Sequence, residues 1–127
     1  MKTIILDTDF ILIPAKYRVD VFSEIDRICH FNYTLSIFDK TLEELDNLAK
    51  KGLKKEVKLT MDILKTKGLN ILKSALKDKT VDMAILGYAN LGQSIVATQD
   101  MALKRSLRAK QIPLITLRQK KYLILVQ

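Results

Sequence analysis

Five short apolar runs, each separated from the next by a stretch of helical periodicity, leave this chain few folds to choose from. The runs are residues 2–6 (KTIIL), 33–38 (YTLSIF), 69–72 (LNIL), 94–98 (SIVAT) and 112–117 (IPLITL). Their length and their Ile, Val and Thr content make them strands buried in a sheet. Between them the pattern changes to three- and four-residue spacing. Val19, Phe22, Ile25, Ile28 and Cys29 follow Asp20, and Asp39 stands as N-cap for a helix carrying Leu42, Leu45, Leu48 and Ala49 that stops near Gly52. Residues 53–67 place Val57, Met61 and Leu64 inside and lysines outside. Thr80 caps a helix with Met83, Ala84, Leu86 and residues 89–91 on its apolar side, and residues 101–110 are helical and strongly basic. Pro14 reads as the close of a loop after the first run. Strands alternating with helices predict an α/β fold, a three-layer α/β/α sandwich around a parallel sheet of about five strands.

A chain of 127 residues with 48% hydrophobic residues fits one domain over residues 1–127, with a core of its own. No run of about 18 apolar residues offers a membrane span. Asp7 and Asp9 interrupt the apolar start where a signal peptide needs an unbroken core, so a cytoplasmic protein is expected. The single Cys29 has no partner for a disulfide, and with His30 beside it reads as a packed thiol next to a surface imidazole.

Charge is distributed unevenly. Residues 1–49 carry five Lys/Arg and nine Asp/Glu, residues 50–79 ten and three, and residues 101–127 seven basic groups and no acid. In the last 49 residues the only acids are Asp82 and Asp100. The overall +8 attracts polyanions, although a solvated lysine face has the same composition.

In an open parallel sheet, ligands bind beyond the carboxyl ends of the strands. Asp7 and Asp9 directly follow the first run and Asp100 the fourth, while Glu44 and Asp82 lie in the first turns of helices that start at the same edge. Each has a structural alternative as a turn or N-cap residue, and Glu44 as part of a solvated face with Glu43 and Asp46. Gathered together, these carboxylates would repel and must take up protons or bind cations. Oxygen ligands without His or Cys select Mg²⁺ or Mn²⁺, and such ions promote phosphodiester hydrolysis.

At these positions the sequence resembles the PIN domain family (PilT N-terminus-like), whose members are largely metal-dependent ribonucleases. ILDTDFIL resembles the strand-one signature, TLEELDNL the second with Glu44 as its acid and Glu43 as rival in register. TVDMAILGYA resembles the third through Asp82, Ile85 and Ala89, and SIVATQDMALKRSL the fourth through Thr98 and Asp100. The tail, LRQKKYL above all, and the opening DTDFILIPAKYRVDVFSEI are most similar to the branch of small-subunit ribosomal RNA processing endonucleases. Asp9 departs from the Asn typical of that branch, and Met83 from a second Asp that often follows the first.

The resemblance implies an endoribonuclease with Asp7, Glu44, Asp82 and Asp100 as catalytic acids. Asp7, Asp82 and Asp100 would bind Mg²⁺ or Mn²⁺, Glu44 would be a ligand or the base that positions water, Asp9 would join as a fifth metal carboxylate or support the others by hydrogen bonding, and Thr98 would support them. Lys104, Arg105, Arg108, Arg118, Lys120 and Lys121 would hold RNA phosphates. Tyr122 reads as core rather than as a base-stacking surface. RNA is the implied partner, and a homodimer the implied assembly. Two other roles use the same residues: an RNA-binding or ribosome-assembly module with little catalysis, and the toxin of a toxin–antitoxin pair. A phosphoacceptor receiver domain is set aside because the third run is followed by Lys73, where a receiver needs Asp.

Overall fold

The computed structural model describes residues 1–127. Five parallel strands, β1 (Lys2–Leu6), β2 (Tyr33–Phe38), β3 (Asn70–Leu72), β4 (Ser94–Ala97) and β5 (Leu114–Arg118), form the sheet, and β6 (Tyr122–Val126) adds an antiparallel edge. The order is β3-β2-β1-β4-β5-β6, so the chain winds outward from β1 in one direction and then from β1 in the other. The switch falls between β1 and β4, where neighbouring connections leave on opposite sides and open a crevice at the carboxyl edge. The expected α/β sandwich is observed, and the sixth strand is an addition to it.

Burial in β1 explains the central position of that strand: Ile4, Ile5 and Leu6 are fully buried, because a parallel strand covered on both faces has no polar side. Alternation assigns them to two cores. Ile4 and Leu6 join one with Phe10, Ile13, Ile25, Ile37, Leu45 and Ile115, and Ile5 joins the other with Phe38, Ile85, Val96 and Leu107.

Helices α3 (Val21–Ile28), α4 (Asp39–Leu48) and α5 (Lys54–Thr66) cover the first face, and α6 (Val81–Tyr88) and α7 (Met101–Ala109) the second. Between α4 and α5 the helix breaks at Gly52, whose φ of 102° a side chain would oppose. Asp39 is the first residue of α4 and not its cap. Its carboxylate accepts from the N–H of Lys40 and from that of Ser74 at 3.0 Å, and so ties the segment after β3 to the end of β2. Met83 and Leu91, expected on an apolar face, are exposed.

The segment around Pro14 is helical. After β1 the chain makes α1 (Thr8–Ile11) and α2 (Ile13–Tyr17), with Pro14 in the first turn of α2, where its missing N–H costs no intrahelical bond. Arg18, left-handed at φ 57°, ends α2. The β5–β6 hairpin turns through Gln119 and Lys120, both left-handed at φ 53° and 55°, and Lys121 N donates to Arg118 O at 3.0 Å. Two-residue hairpins favour this geometry with Asn-Gly, so two side-chain-bearing residues here carry roughly 1–2 kcal/mol of strain each. On the outer side of β6, Leu123 N donates to Glu24 and Leu123 O accepts from Arg27, two residues of α3 that also pair with each other at 2.9 Å.

Candidate active site

At the carboxyl edge of β1 the backbone turns sharply into α1, and Asp7 occupies the turn as N-cap. Its Oδ1 accepts from Thr8 N at 2.8 Å and its Oδ2 from Thr98 Oγ1 at 2.7 Å, with only 5% of the residue exposed. Thr98, just after β4, is fully buried, and the same hydroxyl accepts from Asp100 N at 3.1 Å. One threonine thereby fixes the positions of two acids from different strands. Asp100 caps α7 by accepting from Leu103 N at 3.0 Å.

Glu44, half-buried one turn into α4, accepts from Thr8 Oγ1 at 2.6 Å, while Glu43 points to solvent. The helical register therefore presents Glu44 to the site. Asp82 is the second residue of α6 and Thr80 is its cap, so the carboxylate of Asp82 is not spent on the helix terminus. Asp9, on α1, accepts from Gln99 N at 3.5 Å.

Asp7, Asp9, Glu44, Asp82 and Asp100 all line one open cleft of about 420 Å³, together with Thr8, Leu12, Lys16, Leu48, Leu53 and Thr80. Met83 is exposed and outside this lining, so the absence of an acid at that position removes no cleft carboxylate.

The electrostatics follow from this crowding. Burial pushes the Asp7 carboxyl up to about 7, the charge of Asp9 adds to the effect, and the bonds from Thr98 and Thr8 oppose it. Asp9 is raised by burial first and then by Asp100, against the bond from Gln99 N. Asp82 is raised by burial and by the charges of Asp100, Glu44 and Asp9. Lys16 is the single basic residue of the cleft lining. The site thus holds more negative charge than its own groups neutralise, and its donors are all oxygen. That donor set fits a hard divalent cation. No three of the carboxylates already stand as a closed ligand shell.

The basic residues divide. Arg105, Arg108, Arg118, Lys120 and Lys121 are exposed. Lys104 is half-buried and donates to Thr116 Oγ1 at 2.6 Å, in a network where Thr116 and Leu117 N donate to Gln99 Oε1. Burial and the neighbouring Arg118 and Arg108 lower its pKa, against the attraction of Asp9. Lys104 is thus tied into this network, whereas the other five stand in solvent. Tyr122, expected in the core, is 38% exposed. Thr8 and Gln99 hold residues of the cleft in place and were not singled out by the sequence. Thr8 stood inside the first signature with no role assigned to its hydroxyl, and nothing in the spacing marked Gln99.

The chain belongs to the PIN-like domain family, whose model matches residues 4–120. Within it, the chain is 34% identical over 124 residues to Ribonuclease VapC4 of Methanocaldococcus jannaschii, covering 96% of this chain and 95% of that protein. Among solved structures, the PIN domain endonuclease Utp24 superposes with a TM-score of 0.80 at 22% identity, over 97% of this chain and 90% of that one. The VapBC2 complex of Rickettsia felis, bound to a DNA fragment from its promoter, gives 0.64 at 17% identity over 90% and 98%. These two likenesses are of fold. No helix is long and apolar enough to cross a membrane.

Proposed function

We propose that this PIN-domain protein is a nuclease that hydrolyses phosphodiester bonds in RNA internally, using Mg²⁺ or Mn²⁺ held by Asp7, Asp82 and Asp100 with Asp9 and Glu44 beside them. One observation carries the proposal: five carboxylates from four segments line one cleft against a single cation, Lys16, and three of them have raised pKa. The family and the 34% identity to a ribonuclease support RNA as the substrate.

When bound, the ion supplies Lewis-acid polarisation of a phosphoryl oxygen and an acidified water. The chain supplies the rest. Thr98 and Thr8 hold the Asp7 carboxylate between them, so that its oxygens face the cleft without rotational search. Glu44, oriented by Thr8, is placed to take a proton from the attacking water. Arg105, Arg108, Arg118, Lys120 and Lys121 hold flanking phosphates electrostatically, which positions the strand without reading its sequence. Leu12, Leu48 and Leu53 form the apolar part of the wall.

Cleavage of single-stranded RNA by wild type and Asp7→Asn, with and without Mn²⁺, tests the proposal. Metal-dependent cutting by wild type alone is expected, and equal cutting by both would overturn it. The resemblance of LRQKKYL and of the opening segment to the ribosomal RNA processing branch favours structured ribosomal RNA as substrate. A second reading gives the same chemistry, which the 34% identity to Ribonuclease VapC4 supports, to the toxin nuclease of a toxin–antitoxin pair. A small protein encoded beside this chain that binds it and blocks cleavage would identify that role.

A further inference from the structure

A second cleft of about 420 Å³ opens beside the acidic one, between the end of α2 and the β5–β6 turn. Tyr17, Arg18, Asp20, Glu24, Lys120 and Lys121 line it. Lys16 lines the acidic cleft and Tyr17 this one, so one residue step of α2 joins the two. Both of its walls are held in left-handed backbone, Arg18 on one side and Gln119–Lys120 on the other. Glycine would relieve a left-handed residue, yet here each wall carries a cation at such a position. Strain retained at a charged residue points from geometry toward use.

The two carboxylates in the lining are already occupied. Asp20 caps α3, accepting from Phe22 N and Ser23 N at 3.2 Å and from Ser23 Oγ at 2.7 Å. Glu24 accepts twice from Arg27 and once from Leu123 N. Arg18, Lys120 and Lys121 have no carboxylate within ion-pair distance. Lys120 instead lies over the ring of Tyr17, 5.5 Å from its centroid, and Tyr17 is 43% exposed. A half-open aromatic ring with one cation over it, flanked by two further unpaired cations, matches the requirements of a nucleotide: a face for the base and positive charge for the phosphates on either side.

We propose that Tyr17 and Arg18 together with Lys120 and Lys121 form a subsite for single-stranded RNA outside the acidic cleft. One base stacks on Tyr17, and the flanking phosphates are held by Arg18, Lys120 and Lys121. The subsite rests on the RNA-cleavage reading of the neighbouring cleft and extends it to strand path. A free single strand is required, because a base within a duplex presents no open face to Tyr17.

Fluorescence anisotropy of a labelled single-stranded oligoribonucleotide, in chelator so that nothing is cut, tests it over a range of salt. Lys120→Gly relaxes the turn, so its Tm should rise while RNA affinity falls about fivefold and the salt slope loses about 0.7. Tyr17→Leu should weaken binding about fivefold or more with the slope unchanged, and this penalty should vanish on an abasic strand. A higher Tm for Lys120→Gly with unaltered affinity would overturn the subsite by making the turn purely structural. A Tyr17→Leu penalty that persists on the abasic strand, or equal binding of duplex, would also overturn it. The cleavage reading is judged separately by Asp7→Asn: subsite failure with Asp7-dependent cutting intact leaves that reading standing. Variant-sensitive binding without Asp7-dependent cutting does the reverse.

Discussion

The same sheet edge is built in opposite ways at its centre and toward one side. Beyond β1, β2 and β4, carboxylates are buried or half-buried and several are fixed by hydrogen bonds: Asp7 by Thr8 and Thr98, Glu44 by Thr8, Asp100 by Leu103 N. Beyond β5, cations stand in solvent on a strained turn. Burying acids beside one another is unfavourable without a cation, so their positions must be enforced by packing. Exposed cations cost little and need no enforcement, and they act on a polyanion collectively. The contrast separates a centre that depends on the placement of each atom from a rim that depends on the sum of its charge.

Asp7→Asn should show the largest effect, a loss of cleavage of about 100-fold or more, read as single-turnover rate at saturating Mn²⁺. Thr98→Val keeps the shape of the buried side chain and removes the bond to Asp7. Cleavage should fall roughly 10- to 100-fold, and the Asp7 pKa should rise further, because the opposing bond is gone. A drop no greater than that of a rim variant would break the comparison.

The metal-free protein should also respond to pH. Asp7 is raised from 3.8 to about 7, so the folded state binds the extra proton, and the associated stability is present in full below about pH 4. It is lost as pH rises through about 7, and the raised Asp9 and Asp82 act in the same direction. Thermal melts in chelator should therefore show Tm falling over that window, less so in Asp7→Asn. Added Mn²⁺ should raise the wild-type Tm more at pH 8 than at pH 5. Equal Tm gains at the two pH values would remove the link between the buried carboxyls and the ion.

At the rim, Arg118→Gln should lower kcat/KM only a fewfold, by about one phosphate contact, and the deficit should shrink as salt rises. A salt-independent loss of the Thr98→Val size would place Arg118 in the centre instead.

Most of the fold was legible because its information is local. Five apolar runs and the helical spacing between them fix a parallel sheet, and in such a sheet the address of Asp7, Asp82 and Asp100 follows from topology alone. β6 was not legible for an equally local reason. Gln119-Lys120 carries none of the Gly, Asn or Asp that announces a hairpin, so the apolar stretch after LRQKK had no visible reversal before it. Pro14 misled in the other direction, since a proline in a first helical turn and one in a loop look alike without the cap geometry. Within the site, the sequence named the acids and Thr98, but not Thr8 or Gln99. Acids declare themselves by scarcity in a basic segment, whereas Thr8 and Gln99 acquire meaning only from residues far away in the chain, Glu44 and Thr116 among them.

The contacts of Leu123 have a consequence for how the protein lives in a crowded solution. An edge strand offers outward amides and carbonyls on which another chain can pair. At Leu123 that offer is answered from within, the carboxylate of Glu24 taking the amide and the guanidinium of Arg27 the carbonyl. Two side chains of one helix imitate the backbone of an absent seventh strand, and the sheet is finished at that point by an impostor rather than by a neighbour.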